Sequence, residues 1–385
     1  MGTRTRSAWG RGGGARQPGT QIRAAALSHY FEVAGRFGLD ATALLRQVGL
    51  TRTLLADPSR PIPATAAAQL LELSAAAARC DSFGLRMAEA RQFSDFGPVS
   101  LLLAHQPTLR DALRTVIDYR HLLNEALAME LEDLGQLAVV REELALGEAR
   151  AVRQSTELVV GVVLLIFRAV LGPQWRPRAV HFTHAAPAEL AVHRRLFGCA
   201  PQFAADFNGL TCVAADLDRP NPQADAEMAR YARGFLDALP RRGVDALAQD
   251  VRRSIYLLLP LGRASAEQVA SGLGLHVRTL QRRLGARGLA FADLLDEVRG
   301  ELARRYIEGT THSLGRIAGL LGYSNPSAFT RWYGQRHGRP PSFLRRGPAL
   351  AEHEPSDASG APDGSGVPRP HATPASRAGA RFRRP

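Results

Sequence analysis

In the stretch His276-Val277-Arg278-Thr279-Leu280-Gln281-Arg282-Arg283-Leu284, the side chains of Arg278, Gln281 and Arg282 stand at i, i+3 and i+4. On a helix, residues at that spacing share a face. A guanidinium presents a planar fork of donors, and a carboxamide sets a donor beside an acceptor. Arginine can therefore grip guanine O6 and N7, and glutamine adenine N6 and N7. Val277, Leu280 and Leu284 recur at i, i+3 and i+7 and form a separate apolar face for anchorage. A charged face that is merely solvated explains one such helix equally well. What surrounds it must decide.

The surroundings form a pattern. Val244, Leu247, Val251, Ile255, Leu258 and Leu259 predict an amphipathic helix that Pro260-Leu261-Gly262 ends. Ser265-Ala266-Glu267-Gln268 then reads as a capped helix start, with Val269, Ala270 and Leu273 facing inward. Gly274 breaks that helix and a second begins near His276. A short helix, a glycine-containing turn and a second helix make a helix-turn-helix. The unit recurs 48 residues on: Ser313, Ile317, Ala318, Leu321 and Gly322 match Ser265, Val269, Ala270, Leu273 and Gly274. After a one-residue insertion, Phe329, Arg331 and Tyr333 match Leu280, Arg282 and Leu284. Ser324 is the expected N-cap of the last helix, with Pro326 in its first turn. Phe329 and Tyr333 would pack inward, leaving Ser327, Thr330 and Arg331 outward.

Between the units, residues 291–308 carry Leu294, Leu295, Val298, Leu302 and Ile307 on one stripe. Such a helix spans about 27 Å, against about 34 Å between successive major-groove faces of a duplex. The expectation is one chain reading two adjacent major grooves.

Charge is distributed accordingly. The 385 residues hold 49 basic side chains, all arginine, against 36 acids, for a net charge of +13. Residues 241–347 contribute 18 arginines against 8 acids, whereas residues 21–240 contribute 22 against 24. A basic segment beside a slightly acidic remainder is the electrostatic footprint of a polyanion-binding module.

The stretch from about Val244 to Arg346 resembles the DNA-binding domain of AraC/XylS-type transcription regulators. The resemblance rests on Val269-Ala270, Leu273-Gly274, Arg278 to Leu284, Ile317-Ala318, Gly322-Tyr323-Ser324-Asn325-Pro326-Ser327-Ala328-Phe329-Thr330-Arg331 and the closing Gly338-Arg339-Pro340-Pro341-Ser342-Phe343-Leu344-Arg345. It implies base contacts from Arg278, Thr279, Gln281 and Arg282 in the first unit. In the second it implies them from Asn325, Ser327, Thr330 and Arg331.

Residues 21–240 read as an α+β mixture. Helical periodicity marks Thr65 to Ala78 and Thr108 to Leu123, strand-like stretches fall at Leu137 to Val140, Ala179 to Phe182 and Leu210 to Val213, and Leu158 to Val170 reads as a buried helix. This segment resembles the arabinose-binding-like domain found in a branch of the same regulators. It does so through Arg60-Pro61-Ile62-Pro63, Phe83-Gly84-Leu85-Arg86, Asp95-Phe96-Gly97-Pro98, Leu109 to Leu113, Phe182-Thr183-His184 and Leu217-Asp218-Arg219-Pro220. The resemblance implies an effector-sensing and self-associating domain, without specifying arabinose, and implies a homodimer, RNA polymerase and an operator as partners. Activation is the commoner outcome in that family.

The expected organisation is a disordered basic tail at 1–20, an effector-sensing domain at 21–240, a tandem helix-turn-helix domain at 241–347 and a disordered tail at 348–385, with a linker at Pro240-Arg241-Arg242-Gly243. The fold class is thus α+β followed by all-α. His181 and His184, three apart on a strand, point to opposite faces and make no metal pair. His121, His193 and Cys199 stand isolated, and Asp95 reads as a turn or cap. Arg120 and His121 beside Tyr119 suit either an anionic effector or a surface ion pair. With neither a nucleophile elbow nor a phosphate loop, no catalytic residue, cofactor or metal is expected. Cys80, Cys199 and Cys212 are odd in number, which speaks against a disulfide framework. The longest apolar run is about half of what a bilayer needs, and the arginine-rich first residues resemble no secretory signal, so a cytoplasmic protein is expected. The rival readings are a nonspecific architectural DNA binder and an enzyme with a nucleic-acid-localising appendage.

Overall fold

The computed structural model describes residues 20–147, 152–239 and 246–345. The expected linker and, apart from Thr20, the expected tails lie outside these residues. The N-terminal part is α+β and the C-terminal part all helix. Each has its own core: one gathers buried residues from Ile22 to Leu236, the other those from Val251 to Tyr333 together with Ala145.

Two short strands, β1 (Gln21–Arg23) and β2 (Pro61–Pro63), pair antiparallel near the start. A four-stranded antiparallel sheet follows, built from β3 (Leu127–Asp133), β4 (Leu137–Leu144), β5 (Ala179–His181) and β6 (Asn208–Val213) in the order β3-β4-β6-β5. Gly209 in β6 has φ 144°, and a Cβ there would meet the Val140 carbonyl oxygen at 2.0 Å, so the pairing with β4 requires glycine. Side chains alternate across a strand. Ala138, Val140 and Leu144 of β4 therefore enter the N-terminal core, while Ala145, just past the strand, enters the C-terminal one. The sheet stands between the two cores.

Behind it lies the helix Arg153–Leu171, which extends the expected Leu158–Val170 by a turn. It is long and apolar enough to cross a bilayer by length and composition, yet two-thirds of its most apolar window is buried inside the fold. Periodicity located the helices Ala64–Ala78 and Leu109–Asp118, the latter capped by Thr108, whose Oγ1 accepts from Asp111 N.

The C-terminal part runs through the helices Ala246–Leu258, Ala266–Gly272, Val277–Gly285, Phe291–Gly309, Leu314–Leu320, Pro326–His337 and Pro341–Arg345. Leu280, Val298, Leu302, Ile317 and Phe329 are wholly buried in one shared core. Each contributes about 1.5–3 kcal/mol of transfer free energy. In the two short turns Gly274 and Gly322 take φ of 65° and 75°, a left-handed backbone that glycine adopts without a Cβ clash.

Candidate nucleic-acid interface

The helix Val277–Gly285 buries Leu280 and Leu284 and half-buries Val277, which leaves Arg278, Gln281 and Arg282 exposed and Thr279 half-buried. Its start is held by His276, whose Nδ1 accepts from Arg278 N at 3.3 Å. The preceding helix is capped by Ser265, which accepts from Gln268 N at 3.2 Å.

Pro326–His337 is built the same way. Phe329 and Tyr333 are buried, and Ser327, Thr330 and Arg331 are exposed. The N-cap is Asn325 rather than Ser324: Asn325 Oδ1 accepts from Ala328 N at 2.8 Å, with Pro326 as the first helical residue. Proline at that position needs no amide hydrogen, so the cap moves to the residue directly before it. Asn325 is exposed, and its carbonyl oxygen is committed to the helix start.

The connecting helix Phe291–Gly309 holds both ends. Arg252 reaches Glu301 at 2.5 Å and also pairs with Glu297, and the Tyr256 hydroxyl donates to Glu301. To the neighbouring residue Asp296, Trp332 Nε1 donates at 2.6 Å, and Arg336 pairs with the same carboxylate. The helix carrying Arg331 is thereby tied to the connector.

Two sets stand apart among the arginines of this region. Arg252, Arg253, Arg263, Arg305, Arg316 and Arg336 all make ion pairs. Arg278, Arg282 and Arg331 are exposed and make none with any described residue. An unpaired, solvated guanidinium keeps its donors for a phosphate or a base edge.

Several pairs in the first set cross to the N-terminal part. Arg305 pairs with Glu143 on β4, and its Nη2 donates to the Leu144 carbonyl at 2.9 Å. Arg253 donates to the Glu125 carbonyl at 2.7 Å. Arg120 pairs with Asp250, so of its two sequence readings the ion pair is the one that forms. Arg316, in the helix before the second recognition helix, donates to Asp206 at 3.1 Å, and His312 Nε2 lies 3.3 Å from the Ala205 carbonyl. These contacts had no sequence signal, since each joins residues more than 100 positions apart.

Within the N-terminal part, His193 is not isolated. It is fully buried, and its Nε2 meets Glu157 Oε1 at 3.0 Å, with His184 Nε2 at 3.4 Å from the same oxygen. Burial pulls the His184 imidazole below its ordinary value despite Glu157. His181 instead bonds Thr211 Oγ1 at 3.0 Å. Asp95 closes a capping box with Gln92 and meets His29 Nε2 at 3.2 Å. Among the described residues no set of three His, Cys, Asp or Glu side chains is arranged for a metal ion. All three cysteines are free, and burial pushes the Cys212 thiol up to about 12.

Residues 38–221 match the family described as the arabinose-binding domain of AraC transcription regulator, N-terminal, and residues 269–347 match a helix-turn-helix domain. The chain is 31% identical over 322 residues to the HTH-type transcriptional regulator VirS of Mycobacterium tuberculosis, covering 82% of this chain and 95% of that one. It is 25% identical over 324 residues to the ornithine utilization regulator of Pseudomonas aeruginosa, covering 82% and 94%. Among solved structures, the transcriptional regulator CdpR from Pseudomonas aeruginosa aligns with a TM-score of 0.39 at 18% identity, over 83% of this chain and 98% of that one.

Proposed function

The chain belongs to the AraC-type transcription regulators, and from that premise we propose that it is a sequence-specific, effector-responsive regulator that reads two adjacent major grooves. Membership makes it a DNA-binding transcriptional regulator with a helix-turn-helix domain. The finer reading places a sensory domain at 21–240 and the tandem helix-turn-helix domain at 241–347. It assigns base or backbone contacts to Arg278, Thr279, Gln281 and Arg282, and to Asn325, Ser327, Thr330 and Arg331.

The single observation that carries this reading is the split among the arginines. Arg278, Arg282 and Arg331 on the two recognition helices are exposed and make no ion pair with any described residue, whereas Arg305 and Arg316 pair with Glu143 and Asp206 of the N-terminal part. The 19-residue connector supports a stiff spacing of about 28 Å, comparable with one turn of duplex. Effector response would run through the buried contact of Arg305 with β4, since a ligand that favours one arrangement of this joint shifts DNA affinity by its differential binding, typically about 1–3 kcal/mol. Self-association finds support in Met228, Tyr231 and Phe235, exposed at i, i+3 and i+7 on the helix Ala226–Asp237, with Leu101 exposed on a helix packed against it. RNA polymerase is the partner in activation, and the cytoplasm the compartment.

Footprinting on the promoter region beside the gene tests the reading. The expected result is protection of about two helical turns per monomer on one face of the duplex. Protection of a single turn, or equal affinity for scrambled sequence with salt alone controlling release, would overturn it in favour of one reading head or of an architectural binder.

A further inference from the structure

The N-terminal part holds a cavity of about 110 Å³. One wall is the core helix Arg153–Leu171, where Val159, Val162 and Leu165, spaced by three, are half-buried on a helix that is otherwise mostly buried. Phe96, Val116 and Leu123 extend the apolar lining. At about 10–15 Å³ for each water-sized group, the space holds about eight of them.

The polar part of the lining is small and unevenly charged. It includes Arg23, Arg91 and Asp95, close enough to feel one another's charge. Asp95 is engaged with the Gln92 amide and His29. Arg91 donates through Nη1 and Nη2 to the Ala25 and Ala26 carbonyls, each at 2.5 Å, which fixes the plane of its guanidinium. Its Nε is buried and has no acceptor among the described residues. A buried N–H of this kind is costly and marks a place where an acceptor belongs. Burial pushes the Arg91 guanidinium down to about 10, with Arg23 acting in the same direction and Asp95 against it. An anion would relieve both effects. A single carboxylate would supply the acceptor that Arg91 Nε lacks, in the geometry guanidinium prefers.

We infer that this cavity is the effector site and that it takes an apolar monocarboxylate, its tail along Val159, Val162 and Leu165 and its carboxylate toward Arg91 and Arg23. The inference rests on the effector-responsive reading above. It also supplies that reading with a route. The turn that contributes Leu123 and Asn124 to the lining carries Arg120 and Glu125, which hold Asp250 and Arg253 of the first C-terminal helix. A smaller cavity of about 40 Å³ shares Ala26, Asn124, Leu158 and Val159 with the first and is lined farther on by Leu144, whose carbonyl accepts from Arg305.

The test is a thermal melt of the full chain titrated with octanoate, octylamine and octan-1-ol. At about 100-fold excess over its Kd, octanoate should raise the melting point by about 5 °C, with the amine and alcohol far behind. Val162→Phe, which fills the cavity without removing apolar surface, should abolish the shift. Arg91→Gln should leave octanoate no better than octan-1-ol. A larger shift with octylamine than with octanoate, or an undiminished octanoate shift in Val162→Phe, overturns the site, and Val162→Phe decides even where Arg91→Gln does not fold. Repeating the titration with operator DNA separates the two readings. An octanoate shift with unchanged DNA affinity supports the carboxylate pocket and overturns its role as effector site. A chain that footprints as expected but shifts with no alkanoate overturns the pocket and leaves the DNA reading intact.

Discussion

Arg305, on the helix that joins the two recognition helices, pairs with Glu143 on β4 of the N-terminal sheet, and both side chains are less than a tenth exposed. A buried pair of this kind is costly to break from one side, because the remaining charge is stranded, and cheap to replace as a unit. Arg305→Met or Glu143→Leu alone should each destabilise the chain by about 3–5 kcal/mol, and the double variant by clearly less. Thermal or urea melts of all four species close the cycle, and additive losses would show that the pair is not coupled.

The same strand carries a second buried carboxyl. Glu142 is 2% exposed, and neither of its oxygens has a hydrogen-bond partner among the described residues. Burial first, and Glu143 next, raise its carboxyl well above the ordinary range, with Arg305 acting in the opposite direction. A raised carboxyl favours the folded state in its neutral form, so this stability is present in acid and lost as pH climbs through the raised value. Glu142→Gln stays neutral throughout. Its melting point relative to the parent should therefore rise with pH, by the equivalent of about 1–3 kcal/mol. A pH-independent difference would refute this.

On the acid side one contributing group is His184, lowered mainly by burial, with Glu157 opposing. A lowered imidazole favours the folded state when neutral, so stability is held above about pH 6.5 and lost as pH falls through the lowered value. His184→Phe, which keeps a ring beside Phe182 and Phe203, should flatten the acid limb of a melting-point profile between about pH 6.5 and 5.

Arg278→Ala and Arg331→Ala should each lose about 1–3 kcal/mol of DNA affinity at particular base pairs, read by competition with singly substituted operators. Uniform loss across all sequences would make them phosphate contacts instead.

Asn325 combines two roles that a pair of variants pulls apart. Asn325→Ala removes the bond to Ala328 N and should cost about 1 kcal/mol of stability. Asn325→Asp keeps the cap and the stability. If only the cap matters, the aspartate variant should bind DNA as the parent does, save for the added negative charge, which higher salt screens.

The C-terminal helices were legible because their signal is local: Val269, Ala270, Leu280 and Leu284 repeat with the helical period, and Ser265 and Ser313 cap where their hydroxyls must. The cap at Asn325 was displaced by one residue, because Ser324 and Asn325 are both good caps and only Pro326 decides between them. Strand β3 escaped notice for a different reason. Leu127-Ala128-Met129-Glu130-Leu131-Glu132 alternates as a strand should, but in residue types that favour helix, and its pairing with β4 overrides that preference. The Glu157–His193 contact spans 36 positions and the Arg305–Glu143 contact 162, so neither leaves a periodic trace. The polar lining of the cavity comes from β1, the Arg91–Asp95 segment and the turn at Asn124, three places that only the folded chain brings together.

The four-stranded sheet serves one core with Ala138 and Val140 and offers Glu143 to the other half of the molecule. For anyone grafting the N-terminal half of one relative onto the DNA-binding half of another, a junction near residue 240 is therefore an incomplete seam. The graft inherits an acidic strand shaped for a particular arginine, and hybrids that do not transplant positions 143 and 305 together will strand a buried charge at that joint even when both halves are sound.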